Sequence, residues 1–419
     1  MMMPPDATPA LQPARMVSDL KELRALTGNA DGAQRVCWTE TWARARGWMR
    51  EKLADLPVEI TVDPAGNQWA TLRGASDQVM LIGGHIDSVP NGGWLDGCLN
   101  LVAGLEVLRR IASEGTPPVT VRLVDWADEE GARFGRSLFG SSAASGHLDP
   151  DELRDLSDHD GIKLLDALAV YGVDLDRARE AGAELANAAA YLELHIEQGP
   201  VLESLDRPLG VVLGTYGVER HTIRFTGQSA HAGSTPMDKR RDAFGAAAKL
   251  GIEIREIARR HGGVCTVGSV VTKPGIVTAV VGQCDITLDQ RHLHADALAN
   301  MLEEAKQASE RFAREEQVEV SWQRLWQIEP ILFYPELIEL ADAAIGETGS
   351  TPHHLPSGPL HDAAEVSRAG VPTVMLFVQS LRGLSHTKVE DTREEHLELA
   401  AQALDRLATK TMDWIVQHH

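Results

Sequence analysis

The stretch Val119–Trp126 is the most apolar of the chain, and it runs directly into a loop that makes four carboxylates in six residues: Asp125, Asp128, Glu129 and Glu130. A strand this apolar is expected to be covered on both faces, the condition met by a sheet packed between helices. The acidic loop is then delivered to the interior edge of that sheet. A solvated acidic turn is the ordinary meaning of such a run, and it fits poorly after a buried strand.

The neighbouring segments agree with an α/β sheet. Helical spacing starts near Met16 and again near Gln34, continuing through Trp48 and Leu53. Short β-type runs follow at Val58–Val62, Gln68–Leu72 and Val79–Gly84, punctuated by Pro64-Ala65-Gly66 and Gly74. A helix is expected over Leu99–Ile111. From about Gly217 to Leu325 the order changes to strand (His221–Phe225), helix (Asp242–Arg260), strands (Val264–Val271, Val277–Leu288), helix (Ala295–Ala313) and strand (Val318–Trp322). This β-α-β-β-α-β order is that of a split βαβ, ferredoxin-like unit. The α/β pattern resumes with a helix over Pro335–Ile345, a strand over Thr373–Val378 and a helix over Thr392–Val416. We therefore expect a discontinuous α/β domain of residues 15–214 and 328–419, with a central mixed sheet flanked by helices and an inserted domain of residues 215–327. Residues 1–14, with four prolines in the first fifteen positions, read as a flexible lead-in.

Composition narrows the function. Among 419 residues, 61 Asp and Glu stand against 40 Lys and Arg, a formal net charge of −21. That balance argues against nucleic acid or an anionic membrane surface as partner. No run of eighteen apolar residues suggests a membrane span. The four cysteines lie far apart, which indicates neither a disulfide framework nor a thiolate zinc cluster and suits a reducing cytoplasm.

Five segments set metal-binding side chains beside turn residues at expected strand ends, where α/β folds build sites. In Gly84-His85-Ile86-Asp87, the histidine and aspartate share a face of an extended chain, and the carboxylate can fix the imidazole tautomer. A buried histidine satisfied by its neighbour has the same signature. Asp96, flanked by glycine before an apolar helix, is either an N-cap or a carboxylate able to bridge two ions. Of Glu129 and Glu130, adjacent and so pointing apart, one can bind a cation while the other faces water, the division a hydrolase needs. His195 alternates with Glu193 and Glu197, and His386 sits in the glycine loop Gly383-Leu384-Ser385-His386-Thr387. Each histidine alone can be structural. Together His85, Asp96, Glu130, His195 and His386 offer two divalent cations a nitrogen and oxygen ligand set without thiolate. Two further residues lie in the insert: His231, in the small-residue loop Gly227–Ser234, could donate to a developing oxyanion, and Arg291 could fork onto a carboxylate. Cys98 reads as a small buried residue opening a helix, and His353, His354, His418 and His419 as surface residues.

GGHIDSVPNGGWLDG, DEEGARFG, ELHIEQGPVLE, GQSAHAGSTPM, SGPLHDA and GLSHT, in this order, resemble the N-carbamoyl-L-amino-acid hydrolase, allantoate amidohydrolase and β-ureidopropionase group of dinuclear-metal amidohydrolases, relatives of aminoacylases and metallo-dipeptidases. The resemblance runs from about residue 15 to the end. It implies His85 and His195 on one ion, Glu130 and His386 on the other, and Asp96 between them. It further implies Glu129 as general base, Asp87 as the residue orienting His85, His231 on the oxyanion and Arg291 on the substrate carboxylate. Gln198 and Gly358 would line the carbamoyl end, with His361 behind the site or against substrate. Two divalent ions, zinc or else manganese, cobalt or nickel, are expected, as is a homodimer formed through the insert, which also closes as a lid. The expected reaction is hydrolysis of a carbamoyl C–N bond in a small anionic ureido acid, yielding amino acid, ammonia and carbon dioxide. Allantoate, a β-ureido acid, an N-acyl amino acid or a dipeptide are alternative substrates, and a non-catalytic binding protein of the same fold is a different class. The chain departs from the group where Thr278 replaces an asparagine expected to hold substrate, Asn100 a glycine, Gln379 a proline, and SGPLHDA the usual SGAGHDA.

Overall fold

The computed structural model describes residues 11–418. Of the proline-rich lead-in, residues 1–10 lie outside the described residues; a helix already begins at Pro13, where a proline with fixed φ suits the first turn. The chain divides into two compact units, residues 1–213 with 333–419, and residues 214–332.

A nine-stranded mixed sheet flanked by helices belongs to the first unit, apart from Gly214–Thr215 and the short strand Ile331–Leu332 at its edge, which fall within the second unit's residues. Its strands run in the order Ile331–Leu332, Leu209–Thr215, Thr373–Val378, Ala188–Ile196, Val79–Gly84, Thr120–Asp125, Gln68–Leu72 and Glu59–Val62, with His354–Ser357 also paired to Leu209–Thr215. The four central strands are mutually parallel, and the outer ones join antiparallel. Every residue of Val79–Gly84 and Thr373–Val378 is buried, as is all of Thr120–Asp125 except the half-buried Arg122. Each fully buried aliphatic side chain there contributes about 1.5–3 kcal/mol. The helices Pro13–Thr27, Cys98–Ser113 and Glu394–His418 pack on one another and, through the last two, on the sheet. Cys98 is buried and is the first residue of its helix.

The second unit holds a five-stranded antiparallel sheet ordered Val264–Thr266, Gln283–His292, Gly217–Thr226, Glu319–Ile328, with Val270–Lys273 also paired to Gln283–His292. The helices Ala243–His261 and Ala295–Glu315 cover one face. Strict alternation along Gln283–His292 sends Cys284, Ile286 and Leu288 into a core with Ile223, Phe225, Leu250, Ile254, Met301 and Ala305. The first helix is capped by Asp242, whose carboxylate accepts the amides of Phe244 and Gly245, and it ends at Gly262 with φ 73°.

Two strands expected to be continuous are broken. Val264–Val271 divides into two pieces around Gly268. Val277–Leu288 divides into Ala279–Val280 and Gln283–His292, because at Gly282 the chain passes so close to Ser229 that a Cβ would lie 2.3 Å from its Oγ. Ala279–Val280 leaves the main sheet and pairs with Ala230–His231.

Candidate metal centre

The parallel arrangement decides where the polar residues meet. The strands Val79–Gly84, Thr120–Asp125, Ala188–Ile196 and Thr373–Val378 point the same way, so their C-terminal ends share one edge of the sheet. His85 follows the first strand, Asp128–Glu130 the second, His195 ends the third, and the loop with His386 follows the fourth.

Two sets of three ligand atoms form there, each set within 4.8 Å: His85, Asp96 and His195, and Asp96, Glu130 and His386. Asp96 belongs to both. Its Oδ1 lies 3.1 Å from His195 Nε2 and 3.8 Å from His85 Nε2, and its Oδ2 lies 3.4 Å from His386 Nε2. Glu130 Oε2 is 3.4 Å from the same His386 nitrogen. Glu129 Oε2 is 3.7 Å from His85 Nε2, beside the first set. Asp96 does not cap the following helix, whose N-cap is Gly97.

The tautomers reveal what such a cluster fits. His195 Nδ1 lies 2.9 Å from the Ile196 carbonyl, so this nitrogen carries the hydrogen and Nε2 is left with a lone pair. That lone pair, buried and without a hydrogen-bond partner, faces a carboxylate oxygen 3.1 Å away. His85 repeats the pattern, its Nδ1 3.2 Å from the Asp87 carbonyl and its Nε2 toward Asp96 and Glu129. Acceptors opposed in this way repel unless a cation or a proton lies between them. Divalent cations therefore fit these residues, and the absence of thiolate favours ions of borderline hardness.

Charge tells the same story. Burial pushes Asp96 up, but the closeness of His195, His386 and His85 outweighs it and holds the carboxyl well below its ordinary range. Burial, with Asp362, Glu130 and Asp87 nearby, drives Glu129 well above its ordinary value despite His85. Burial and then Asp96 push Glu130 up to about 7, and the hydrogen bond to Asp96 raises His386 to about 9. The ion-pair partners of these carboxylates are histidines.

The acidic run divides its labour. Asp125 is a framework residue: it pairs with buried Arg46 at 2.6 Å and accepts the Ile86 amide at 2.9 Å, pinning the residue between His85 and Asp87. Asp128 accepts the Trp38 indole at 2.9 Å. Asp87 receives the amides of Glu129 and Glu130 at 3.3 and 3.2 Å, and its Oδ1 lies 3.6 Å from His85 Nδ1. It therefore orders the acidic loop as well as the histidine, a task its sequence motif did not suggest. Asp128, Gln198 and His386 all have φ between 55° and 57°, a left-handed backbone uncommon outside glycine and concentrated here beside the cluster.

The expected substrate residues are placed as follows. Gln198 donates from Nε2 to Asp96 Oδ2 at 2.9 Å and to Ser385 at 3.1 Å. His361 is buried with its ring 4.4 Å from that of His195; burial, then the charge of His195, holds its pKa well below the ordinary value. Gly358 is half-buried just after His354–Ser357, and a Cβ there would meet nothing within 4 Å. In the second unit, the strand pairing Ala230–His231 with Ala279–Val280 brings His231 and Thr278 together, the Thr278 carbonyl accepting the Ala232 amide at 2.8 Å. His231 Nδ1 accepts the amides of Gly233 and Ser234, so its Nε2 carries the hydrogen and is a donor. Arg291 is forked onto Asp289, two residues back on the same strand face, and Asp289 also pairs with Arg220 at 2.6 Å.

Sequence reasoning missed three contributors. Asn100 donates to the Gly83 carbonyl and accepts the Leu194 amide at 2.8 Å, tying together the strands that carry His85 and His195. Ser385 donates to Asp96 Oδ2 at 2.9 Å. Glu390 is buried against the Asp96 loop. Only its place four residues after His386 could have drawn attention to it.

Imidazoles and carboxylates arrayed at the edge of a parallel sheet, with an extra glutamate beside them, are the equipment of a hydrolase that works with divalent cations. Residues 81–410 match Peptidase family M20/M25/M40, and the chain belongs to that family. It is 35% identical to an N-carbamoyl-L-amino acid amidohydrolase of Geobacillus stearothermophilus, over 89% of this chain and 92% of that protein. It is 32% identical to an allantoate amidohydrolase of Escherichia coli (strain K12), over 87% and 89%. The crystal structure of an amidase of the hydantoinase/carbamoylase family from Burkholderia phymatum superposes with a TM-score of 0.86 at 31% identity, covering 98% of this chain and all of that one. The chain is thus an amidohydrolase acting on non-peptide C–N bonds. Among the described residues no helix is long and apolar enough to cross a membrane.

Proposed function

We propose that the protein hydrolyses the carbamoyl C–N bond of an N-carbamoyl-L-amino acid or a closely similar ureido acid, using two divalent cations shared through Asp96. The observation that carries the cation reading is the lone pair of His195 Nε2 facing Asp96 across 3.1 Å. His85 and His195 would hold one ion, Glu130 and His386 the other, with zinc the first choice and manganese, cobalt or nickel acceptable to the same donors. When bound, such ions supply Lewis acidity, polarising a carbonyl and bringing the ionisation of water toward neutrality.

The remaining steps belong to the chain. Glu129, a carboxylate that burial has made more basic, accepts a proton from the attacking water and returns it to the departing nitrogen. Asp87 keeps the Glu129 loop in place through its two amide bonds. His231, with its hydrogen on Nε2, suits the role of oxyanion donor, and Arg291 that of carboxylate clamp, exchanging part of its fork from Asp289 to substrate. Attack at the ureido carbon releases the amino acid, and the carbamate breaks down to ammonia and carbon dioxide.

The inserted unit takes the roles of lid and dimer interface in this reading. Supporting the second role, its helix Ala243–His261 exposes Phe244 and Ile252, and its outlying strand exposes Val270 and Val271. The four free cysteines suit a reducing cytoplasm. The Geobacillus stearothermophilus relative points to carbamoyl amino acids, and the Escherichia coli relative keeps allantoate as the second reading. A panel of N-carbamoyl-L-amino acids, allantoate, N-acyl amino acids and dipeptides, offered to zinc- or manganese-loaded protein, tests the assignment. Ammonia and free amine should appear from the carbamoyl compounds. Amine released only from acyl compounds or dipeptides, without ammonia from any ureido compound, overturns it.

A further inference from the structure

Glu390 takes no part in the chemistry above, yet its residue is only 2% exposed and its carboxylate is built into the Asp96 loop. Its Oε1 accepts the backbone amides of Leu95 and Asp96, each at 3.1 Å. Its Oε2 lies 3.1 Å from Ser385 Oγ, which in turn bonds Asp96 Oδ2 at 2.9 Å. The Ser385 hydroxyl, with one hydrogen to give to either Asp96 Oδ2 or Glu390 Oε2, sits between the two side chains, while Asp96 is gripped directly at its backbone by the Glu390 carboxylate. That carboxylate lies four residues from His386, so the same grip fastens the loop of the second histidine to the loop of Asp96. Room for it comes from Gly93, where a Cβ would fall 1.9 Å from Glu390 Cδ. A buried carboxylate next to other carboxylates is destabilising unless it is amply hydrogen-bonded.

We propose that Glu390 is a positioning residue that holds Asp96 in the one orientation serving both ligand sets. The inference rests on the reading of Asp96 as the shared ligand, and outer partners of this kind typically govern metal affinity by 10- to 100-fold.

The test uses the full-length protein, stripped with chelator and titrated with Zn²⁺ alone, with uptake followed by calorimetry and by metal analysis after gel filtration. Glu390→Ala should weaken Zn²⁺ binding by roughly 10- to 100-fold, while the melting temperature of the Zn²⁺-free protein stays near that of the wild type. Glu390→Gln, which still accepts the two amides and can donate to Ser385, should recover most of the lost affinity. Gly93→Ala, which pushes Glu390 aside without touching it chemically, should reproduce the loss and serves if Glu390→Ala fails to fold. Wild-type Zn²⁺ affinity in Glu390→Ala or Gly93→Ala overturns the proposal alone. A wild-type chain that takes up no Zn²⁺ overturns the metal reading, and this proposal with it.

Discussion

In the inserted unit, most charged groups pair partly or wholly in the open: Arg224 with Asp285, Arg220 and Arg291 with Asp289, Lys249 with Glu315, the buried Glu219–His221 pair being an exception. Around Asp96 the opposite holds. There Asp87, Asp96, Glu129 and Glu130 are largely withdrawn from water, and histidines are their ion-pair partners. Solvated pairs of the first kind are individually worth about 0–1 kcal/mol. Buried clusters of the second kind are destabilising in isolation, and they persist where something supplies the missing positive charge. The contrast separates a scaffold's ordinary surface from a centre whose stability depends on what it binds.

The strongest way to break that contrast is to withhold cations. Exhaustive chelation should reduce turnover to background, restored by added zinc or manganese, and lower stability by about 4 kcal/mol relative to metal at a thousand times its Kd. Stripped protein should also acquire a marked pH dependence. Glu130, raised from 4.5 to about 7, stabilises the metal-free fold while protonated, a contribution present below pH 4.5 and lost as pH rises through about 7. His386, raised to about 9, contributes stability below pH 6.5 that is lost as pH rises through about 9. Melting temperatures of the stripped protein should therefore fall between pH 5 and pH 9, and a flat profile would contradict the charge argument.

Next in size is Glu129→Gln. It should keep the full metal content and lose roughly 10²- to 10⁴-fold in kcat, measured as ammonia release. Unchanged turnover would remove Glu129 as base. Smaller again is Arg291→Ala, which should raise KM with kcat nearly retained; one lost charge-assisted contact is worth about 1.5–3 kcal/mol, roughly 10- to 150-fold. The least effect belongs to Asp285→Asn, which removes the exposed pair with Arg224 and should change stability by under about 1 kcal/mol in chemical denaturation. A larger change there would show that the two units are less different than their burial indicates.

How much of this was legible in the sequence follows from chain direction and periodicity. Apolar strands ending in His85, the Asp128–Glu130 loop and the His386 loop announced one polar sheet edge, because parallel strands deliver their ends together. The β-α-β-β-α-β order of the insert was legible from the change in hydrophobic spacing. Its breaks at Gly268 and Gly282 fall inside runs that read as strand, although a glycine inside a strand pattern is itself a sign of a bulge or a close backbone approach. The jobs of Asp125 and Glu197 were also hidden. Glu193 and Glu197 alternate with His195, yet Glu193 bonds Tyr191 and the Ala363 amide, while Glu197 accepts the amides of Val201 and Leu202. Periodicity sets the face on which a side chain emerges, whereas its partner is set by loops from distant positions. Asn100, a departure from the resembling group, is explained by its bridge between two strands. For Thr278 the structure shows its neighbour His231 but no reason for the change.

The strand Thr373–Val378 lies between Ala188–Ile196 and Leu209–Thr215, both of which leave the ribosome more than 150 residues earlier. While most of the insert is being synthesised, Ala188–Ile196 has no partner on that side, and every strand that pairs with Leu209–Thr215 (Ile331–Leu332, His354–Ser357 and Thr373–Val378) is still to be made. A nascent chain paused before residue 373 would hence carry an open strand edge along Ala188–Ile196, available to any extended peptide. The last β-segment to emerge is the one that shuts it, and the loop bearing His386 follows immediately behind.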